Sequence, residues 1–279
     1  DHAPAMFTAP DGTLFHFNGL GVDKGWGELV VVLRTSNDNG ATWSAPRIIA
    51  SPHGPRHQPI ASAFGGSDGT IYLPCDADPG PKGGTVLHAS RDHGAAWKDL
   101  SLGEPQPKFA AGKSGAWIAG IHAGVGEIEP GILVAAGRGD NIDNHMPWSI
   151  SRDRGQTWTY SATPFPPISS GQRPVLRKLR EGPLMLISFT PGSTFTDAEG
   201  KEYQGQGIFA ALSYDGGQTW PVRKLLTDGK RREMNGLAWT GPFVMDASHA
   251  EPKGYLTAVQ SPDGMIHLIS SGLYYQFNL

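Results

Sequence analysis

Cysteine is almost missing from this chain. Cys75 stands alone in 279 residues, so no disulfide can close within the chain and no cysteine zinc cluster can form. It follows the apolar run Ile71-Tyr-Leu-Pro and is read as a buried structural thiol rather than a nucleophile. Charge is sparse as well: charged residues make up 18% and the net charge is −3, which gives no reason to expect nucleic acid or an anionic membrane as partner. No apolar run approaches the roughly 18 residues of a membrane span. No signal peptide is visible before Asp1, so the chain is read as a processed mature form or a trimmed one. Helical 3.6-residue periodicity is absent throughout.

Turn residues, by contrast, are plentiful: 38 Gly and 23 Pro, scattered rather than clustered. Among them one octapeptide recurs four times, as Ser36-Asn-Asp-Asn-Gly-Ala-Thr-Trp43, Ser90-Arg-Asp-His-Gly-Ala-Ala-Trp97, Ser151-Arg-Asp-Arg-Gly-Gln-Thr-Trp158 and Ser213-Tyr-Asp-Gly-Gly-Gln-Thr-Trp220. The serines lie 54, 61 and 62 residues apart, a period that means an array of similar supersecondary units. Each unit reads as four short strands, the third running into the octapeptide. In the fourth unit these are residues 174–179, 183–189, 207–213 and 222–226; in the second, 60–63, 70–73, 85–89 and a weak strand near Lys98. Repeated four-stranded units of this size predict an all-β fold, a β-propeller of antiparallel blades, with residues 1–279 as one domain. Inner strands are expected near Ala5, Ile60, Val125, Val175 and Leu256. Five blade units are visible, the last lacking its fourth strand; a sixth is possible if flanking sequence is missing. In the octapeptide, Asp is expected to accept backbone N–H bonds, Gly to take positive φ, and Trp to pack between neighbouring sheets.

These octapeptides resemble the Asp boxes, or BNR repeats, of the sialidase-like superfamily, and the resemblance covers nearly the whole chain. It implies a carbohydrate-active propeller with its site at the starts of the inner strands. It also implies a secreted or periplasmic protein whose partner is an oligosaccharide or glycoconjugate. Tyr255, in Tyr255-Leu-Thr-Ala-Val-Gln-Ser-Pro-Asp-Gly264, matches the family's late tyrosine, and Asp23 its acid ahead of the first box. The family's arginine cluster is not matched. Its R-I-P reads His2-Ala-Pro4, its G-R-L reads Gly131-Ile-Leu133, no arginine precedes Gly207, and the place of its glutamate reads Gly171-Gln-Arg-Pro174. Arg173, Arg138 and Arg56 are the candidate replacements.

The inner-strand starts are instead rich in histidine, at His2, His57-Gln58 and His122. A polar loop, Gly137-Arg-Gly-Asp-Asn-Ile-Asp-Asn-His145, offers Arg138, Asp140, Asn141, Asp143 and His145 to sugar hydroxyls or to an oxygen-ligated cation such as Ca2+, although no cofactor is required. Ser248-His-Ala-Glu-Pro252 supplies His249, and it supplies Glu251 as a base for Tyr255. With Gln172 and Arg173 these residues fit two chemistries. In an exo-acting glycoside hydrolase on an acidic or deoxy sugar, Asp23 or Glu251 protonates the leaving oxygen and Tyr255 or a water attacks the anomeric carbon. In a polysaccharide lyase or rhamnosidase-type enzyme a central histidine acts as base, and a non-catalytic sugar-binding propeller is the third reading. Metal, linkage, stereochemistry and oligomeric state have no signature in the sequence.

Overall fold

A computed structural model describes residues 2–21, 27–60, 62–77 and 83–278, without the side chains of residues 2, 3 and 51–53. The chain is all-β: among the described residues the only helical element is a single 3-10 turn, Pro55–His57, and no helix is long and apolar enough to cross a membrane. Its contacts divide it into two compact units. One holds residues 1–143 and 147–162, the other 144–146 and 163–279.

The first unit carries three antiparallel blades. Blade one is β1 (His2–Thr8), β2 (Leu14–Gly21), β3 (Leu29–Ser36) and β4 (Arg47–Gly54), hydrogen-bonded in that order. Blade two is β5 (Gln58–Pro59), β6 (Phe64–Gly65), β7 (Ile71–Asp76), β8 (Thr85–Ser90) and β9 (Lys98–Asp99). Blade three is β10 (Ser114–Gly115), β11 (Ile121–Glu129), β12 (Ile132–Arg138), β13 (Pro147–Ser151) and β14 (Trp158–Ala162), with β10 added outside β14. In the second unit β15 (Gln172–Arg173) precedes blade four, made of β16 (Val175–Lys178), β17 (Leu184–Thr196), β18 (Glu202–Ser213) and β19 (Val222–Leu225). A hairpin of β20 (Arg232–Asn235) and β21 (Pro242–Met245) follows, then β22 (Gly254–Tyr255), parallel to β15. Blade five has three strands, β23 (Thr257–Gln260), β24 (Ile266–Ile269) and β25 (Tyr274–Phe277).

All four octapeptides fold alike. The serine hydroxyl donates to the aspartate and accepts the glycine N–H at 2.7–2.9 Å. The same aspartate accepts the N–H four residues on, at 2.8–2.9 Å. Where threonine stands there, its hydroxyl closes on the second carboxylate oxygen. These threonine bonds are the main cause that holds the Asp38 and Asp215 carboxyls down at about 2. The glycines take φ of 83–98°, and Asn39, His93, Arg154 and Gly216 before them are left-handed too. The tryptophans share a sequence position but not a burial. Trp158 is in the core at 1% exposure, whereas Trp43 is 36% exposed, against His16 of its own sheet. Trp97 does bridge sheets, edge-on to Phe17 at 5.3 Å.

Three expected strands differ from the sequence reading. The inner strand of blade two is not residues 60–63. It is broken into β5 and β6, both paired with β7. Pro59 has no N–H to continue the ladder, and Ser62 N–H turns back onto the Ile60 carbonyl at 2.7 Å. The Ser62 hydroxyl then donates to the Ala123 carbonyl, tying blade two to blade three. In blade four the hairpin of β17 and β18 runs past Phe189 and Gly207, pairing Ser193–Thr196 with Glu202–Gly205. This arm stays ordered because Phe195 is buried against Phe209 and Tyr203. Cys75 is fully buried on β7, and burial pushes its thiol up, away from thiolate chemistry.

Candidate functional site

In the first unit the strand pairing itself builds a polar cluster. β5 sets Gln58 opposite Asp76, the last residue of the otherwise apolar β7. The next inner strand begins Ile121-His122, and the His122 N–H donates to Asp76 Oδ1 at 2.7 Å. Its ring Nδ1 lies 2.8 Å from Asp76 Oδ2. The two contacts need His122 in the left-handed region, at φ 53°, a costly backbone for a ring-bearing residue. All three side chains are buried, and Gln58 Oε1 has no hydrogen-bond partner among the described residues. The Asp76 carboxylate beside Nδ1 orients the imidazole. Asp76 is the residue that sequence reasoning missed. Its signal is a lone acid ending a wholly apolar strand.

His57 is placed differently. Its Nδ1 is 2.8 Å from the Leu29 carbonyl, which only accepts, so Nδ1 carries the proton. Its ring meets His88 edge-on at 5.7 Å, and His88 in turn donates to the Arg56 carbonyl. Arg56 is no substitute for a substrate arginine. Its guanidinium holds Asp99 through two bonds, donates to Ser101, and lies over Trp117 at 4.8 Å. Burial acts to raise the Asp99 carboxyl, but the Arg56 bonds, the nearby His88 and Arg56 charges and the Ser101 N–H together hold the group low. In the polar loop, Asp140 accepts the Gly84 and Gly120 N–H groups at 3.3 and 3.2 Å, so this carboxylate stitches two chain segments together. Arg138 ends β12 opposite Ile121, and Asn141, Asp143 and His145 stand on the surface. No group of three or more His, Cys, Asp or Glu side chains is poised for a metal among the described residues. Asp23 lies outside the described residues, as does the side chain of His2.

In the second unit, β15 and β22 pair side by side, so Gln172 faces Gly254 and Arg173 faces Tyr255. The Arg173 guanidinium lies 4.6 Å over the Tyr255 ring, and Trp239 stacks on that ring at 5.9 Å and 27°. Tyr255 is half-buried; Trp239 is exposed. Gln172 works as a clamp, donating to the Pro252 carbonyl and accepting the Ser169 N–H.

Glu251 does form a tyrosine–carboxylate pair, but the hydroxyl bonded to it is that of Tyr275, at 2.8 Å. Ser270 donates to its other oxygen, with Thr240 Oγ1 at 2.9 Å. Thr240 has one proton and also sits 2.6 Å from the Lys253 carbonyl, so the set is complete when Glu251 itself carries a proton. Burial raises the Glu251 carboxyl in the same sense and outweighs the three hydroxyls that lower it. Glu251 thus pins the chain just before Tyr255 to blade five.

Beside this cluster a cavity of about 610 Å³ opens between the β17–β18 arm, the β20–β21 hairpin and the 246–252 segment. His249 lines it, its Nδ1 2.8 Å from Asp246 Oδ1, which also accepts the Ser248 and His249 N–H groups. The Ser248 N–H and, less strongly, the His249 ring hold the Asp246 carboxyl down at about 2.

The match to known proteins follows this geometry. A sialidase of Bacteroides fragilis (strain YCH46) is 29% identical over 213 residues, 71% of this chain and 35% of that protein. A Hadza microbial sialidase superposes with a TM-score of 0.60 at 20% identity, over 99% of this chain and 52% of that one. An α-L-arabinofuranosidase of Fusarium graminearum superposes with a TM-score of 0.58 at 16% identity, over 100% of this chain and 80% of that one. The chain spans about a third of the curated sialidase and half of the solved one, and at these identities the structural likeness speaks for the fold, a β-propeller. A family model covers residues 2–268, and on that match the chain belongs to the BNR repeat-like domain family.

Proposed function

We propose that this chain is the carbohydrate-cleaving propeller of an exo-acting glycoside hydrolase, exported from the cytoplasm, with a terminal acidic or deoxy sugar as substrate. The reading rests on one arrangement: Tyr255 half-buried on β22, with the Arg173 guanidinium on its ring and Trp239 stacked beside it. The sialidase and arabinofuranosidase relatives support hydrolysis as the reaction class. A neutral phenol suits a substrate whose own carboxylate would repel an anionic nucleophile. Arg173 places positive charge where that carboxylate would lie, and a guanidinium stacked by its face keeps its N–H donors in the ring plane. In the first half-reaction the Tyr255 oxygen bonds to the anomeric carbon while its proton leaves to a base. The leaving oxygen takes a proton from an acid, the role assigned to Asp23 by resemblance. Water then displaces the tyrosine oxygen and restores both groups.

The test is a product screen on aryl glycosides, sialosides and rhamnosides included, with Tyr255→Phe alongside wild type. Loss of roughly 10²–10⁴-fold in kcat is expected for the variant. Full activity in Tyr255→Phe would remove the tyrosine from the mechanism.

A second reading has its own observation, the buried Asp76–His122 pair. An imidazole so oriented is a base for the proton α to a uronate carboxylate. Lyase action on uronate polymers would create a conjugated double bond with far-ultraviolet absorbance, which hydrolysis does not. A binding module would yield neither product.

A further inference from the structure

Three asparagines in the chain are followed by glycine: Asn18-Gly19, Asn39-Gly40 and Asn235-Gly236. In such a pair the glycine amide nitrogen can attack the asparagine carboxamide carbon, because glycine has no side chain to hinder the approach. The attack needs a peptide nitrogen released from its hydrogen bond and a backbone free to close a five-membered ring, so local opening governs it. The fold separates the three pairs. Gly19 lies inside β2, paired with His2 of β1 on one side and Val31 of β3 on the other, so its peptide is held within a sheet. Gly40 belongs to the first octapeptide, where its N–H donates to the Ser36 hydroxyl at 2.9 Å and that hydroxyl is itself fixed on Asp38. Asn235 ends β20, in a hairpin of two strands only, a pairing that is marginal by itself.

The surroundings of Asn235 favour the attack. Its side chain is exposed and folded back over the Gly236 peptide, with Oδ1 accepting the Leu237 N–H at 2.9 Å. That donor sits on the oxygen that gains negative charge when the carboxamide carbon is attacked. The Gly236 N–H donates to the Gly241 carbonyl at 3.0 Å, across a tip in which Leu237 and Ala238 are both left-handed, at φ 55° and 34°. Neither residue adopts that backbone readily, so strain favours the opening that frees Gly236. A Cβ at position 236 would meet Thr240 and Glu251 at 2.6 and 2.8 Å, so the tip itself requires glycine there.

We propose that Asn235 is a site of spontaneous modification, converted to aspartate and isoaspartate with water as the co-reactant. The Gly236 amide gives its proton to solvent and its nitrogen bonds to Asn235 Cγ. The carboxamide nitrogen leaves as ammonia, and a succinimide ring remains. Water then adds to one of the two ring carbonyls and breaks its bond to the Gly236 nitrogen. Opening at Cγ gives aspartate, and opening at the main-chain carbonyl gives isoaspartate. One water is consumed, one ammonia is released, and nothing is oxidised or reduced. Isoaspartate carries the side-chain methylene in its main chain, so it lengthens the strand just before the tip. Thr240 and Trp239 ride on that tip, the first 2.9 Å from Glu251 and the second stacked on Tyr255. The modification therefore loosens that stack. Its effect on cleavage rests on the proposed role of Tyr255; the modification itself does not.

The experiment is incubation of the whole chain at mildly alkaline pH, once folded and once in urea. Peptide mass mapping reads the change from carboxamide to carboxyl at each asparagine. Methyl transfer from S-adenosylmethionine by an isoaspartyl methyltransferase reads the isoaspartate. In the folded chain Asn235 is expected to convert roughly tenfold or more ahead of Asn39, with Asn18 unchanged, because opening of the hairpin is the easiest of the three. In urea the three should convert at similar rates. Tryptophan emission should change in step with conversion at Asn235 and hold steady in Asn235→Gln, whose longer side chain closes a six-membered ring far more slowly. Conversion at Asn39 or Asn18 ahead of Asn235 overturns the proposal. So does an unchanged Asn235 in the folded chain over a time in which the chain in urea converts. If no glycoside is cleaved, the proposed function fails while the mass readout still decides this site.

Discussion

His122 and Tyr255 both stand at the start of an inner strand, and their surroundings are opposite. His122 is 4% exposed, bent into a left-handed backbone, and locked by a carboxylate that is itself fully buried. Tyr255 is half-buried between a cation and an exposed indole, at the edge of a two-residue parallel pairing. A buried polar pair is mostly a structural commitment, because removing either member strands the other away from water. The Tyr255 ring instead stands partly open, with buried Arg173 on one side and exposed Trp239 on the other. Equivalent places in a repeat therefore have different surroundings, and the neighbouring segments decide which.

That contrast can be broken from either side. The largest expected effect is on activity, the 10²–10⁴-fold loss in Tyr255→Phe with the melting temperature nearly unchanged. Asp76→Ala should do the reverse on stability, costing about 3–5 kcal/mol in denaturant unfolding, since it leaves His122 buried without its carboxylate. Equal melting temperatures for wild type and Asp76→Ala would show the pair to be dispensable for the fold. The repeat offers a parallel contrast: Trp158→Ala should cost about 3–5 kcal/mol and Trp43→Ala under about 1, although both are the last residue of the same octapeptide. Equal losses would mean that the tryptophans act within their own turns and not through burial.

The smallest effect concerns Glu251. Its carboxyl is raised in the folded state, so its contribution is fully present below the unfolded glutamate range near about 4.3. That contribution is lost as pH rises through the raised value. Unfolding midpoints measured from acidic to neutral pH should therefore fall over this window in wild type and flatten in Glu251→Gln. A midpoint that rises with pH over the same window would mean that the carboxylate, not the acid, is the stabilising form.

Much of the fold was legible because the octapeptide is self-contained. Serine, aspartate, glycine and the residue four places after the aspartate satisfy one another locally, so four copies announce four hairpins without reference to anything distant. The three strands of the last blade were legible for the same reason, through period-two patterning and the Asp263-Gly264 turn. The break between β5 and β6 was written in Pro59 but needed Ala123, more than sixty residues on, to give Ser62 its acceptor. The long arm of β17 and β18 lies beyond the strands 183–189 and 207–213 expected from the sequence, since Pro191, Gly192 and Ser193 interrupt the pattern; the pairing resumes past a register shift there.

The candidate site was legible only as a roster. Histidines at strand starts, Tyr255 and Arg173 could be named from the pattern, but their partners could not. Asp76 and Trp239 carried no motif, and Glu251 drew attention for its nearness in sequence to Tyr255 while its tyrosine lies at Tyr275. Turn chemistry and blade period are local properties of a polymer, set by hydrogen bonds that reach four residues, so the sequence alone determined the all-β repeat and the family. Which charge meets which and which imidazole is buried depend on pairings between segments far apart in the chain. Those pairings are settled by packing and desolvation together, and only the tertiary structure decided them.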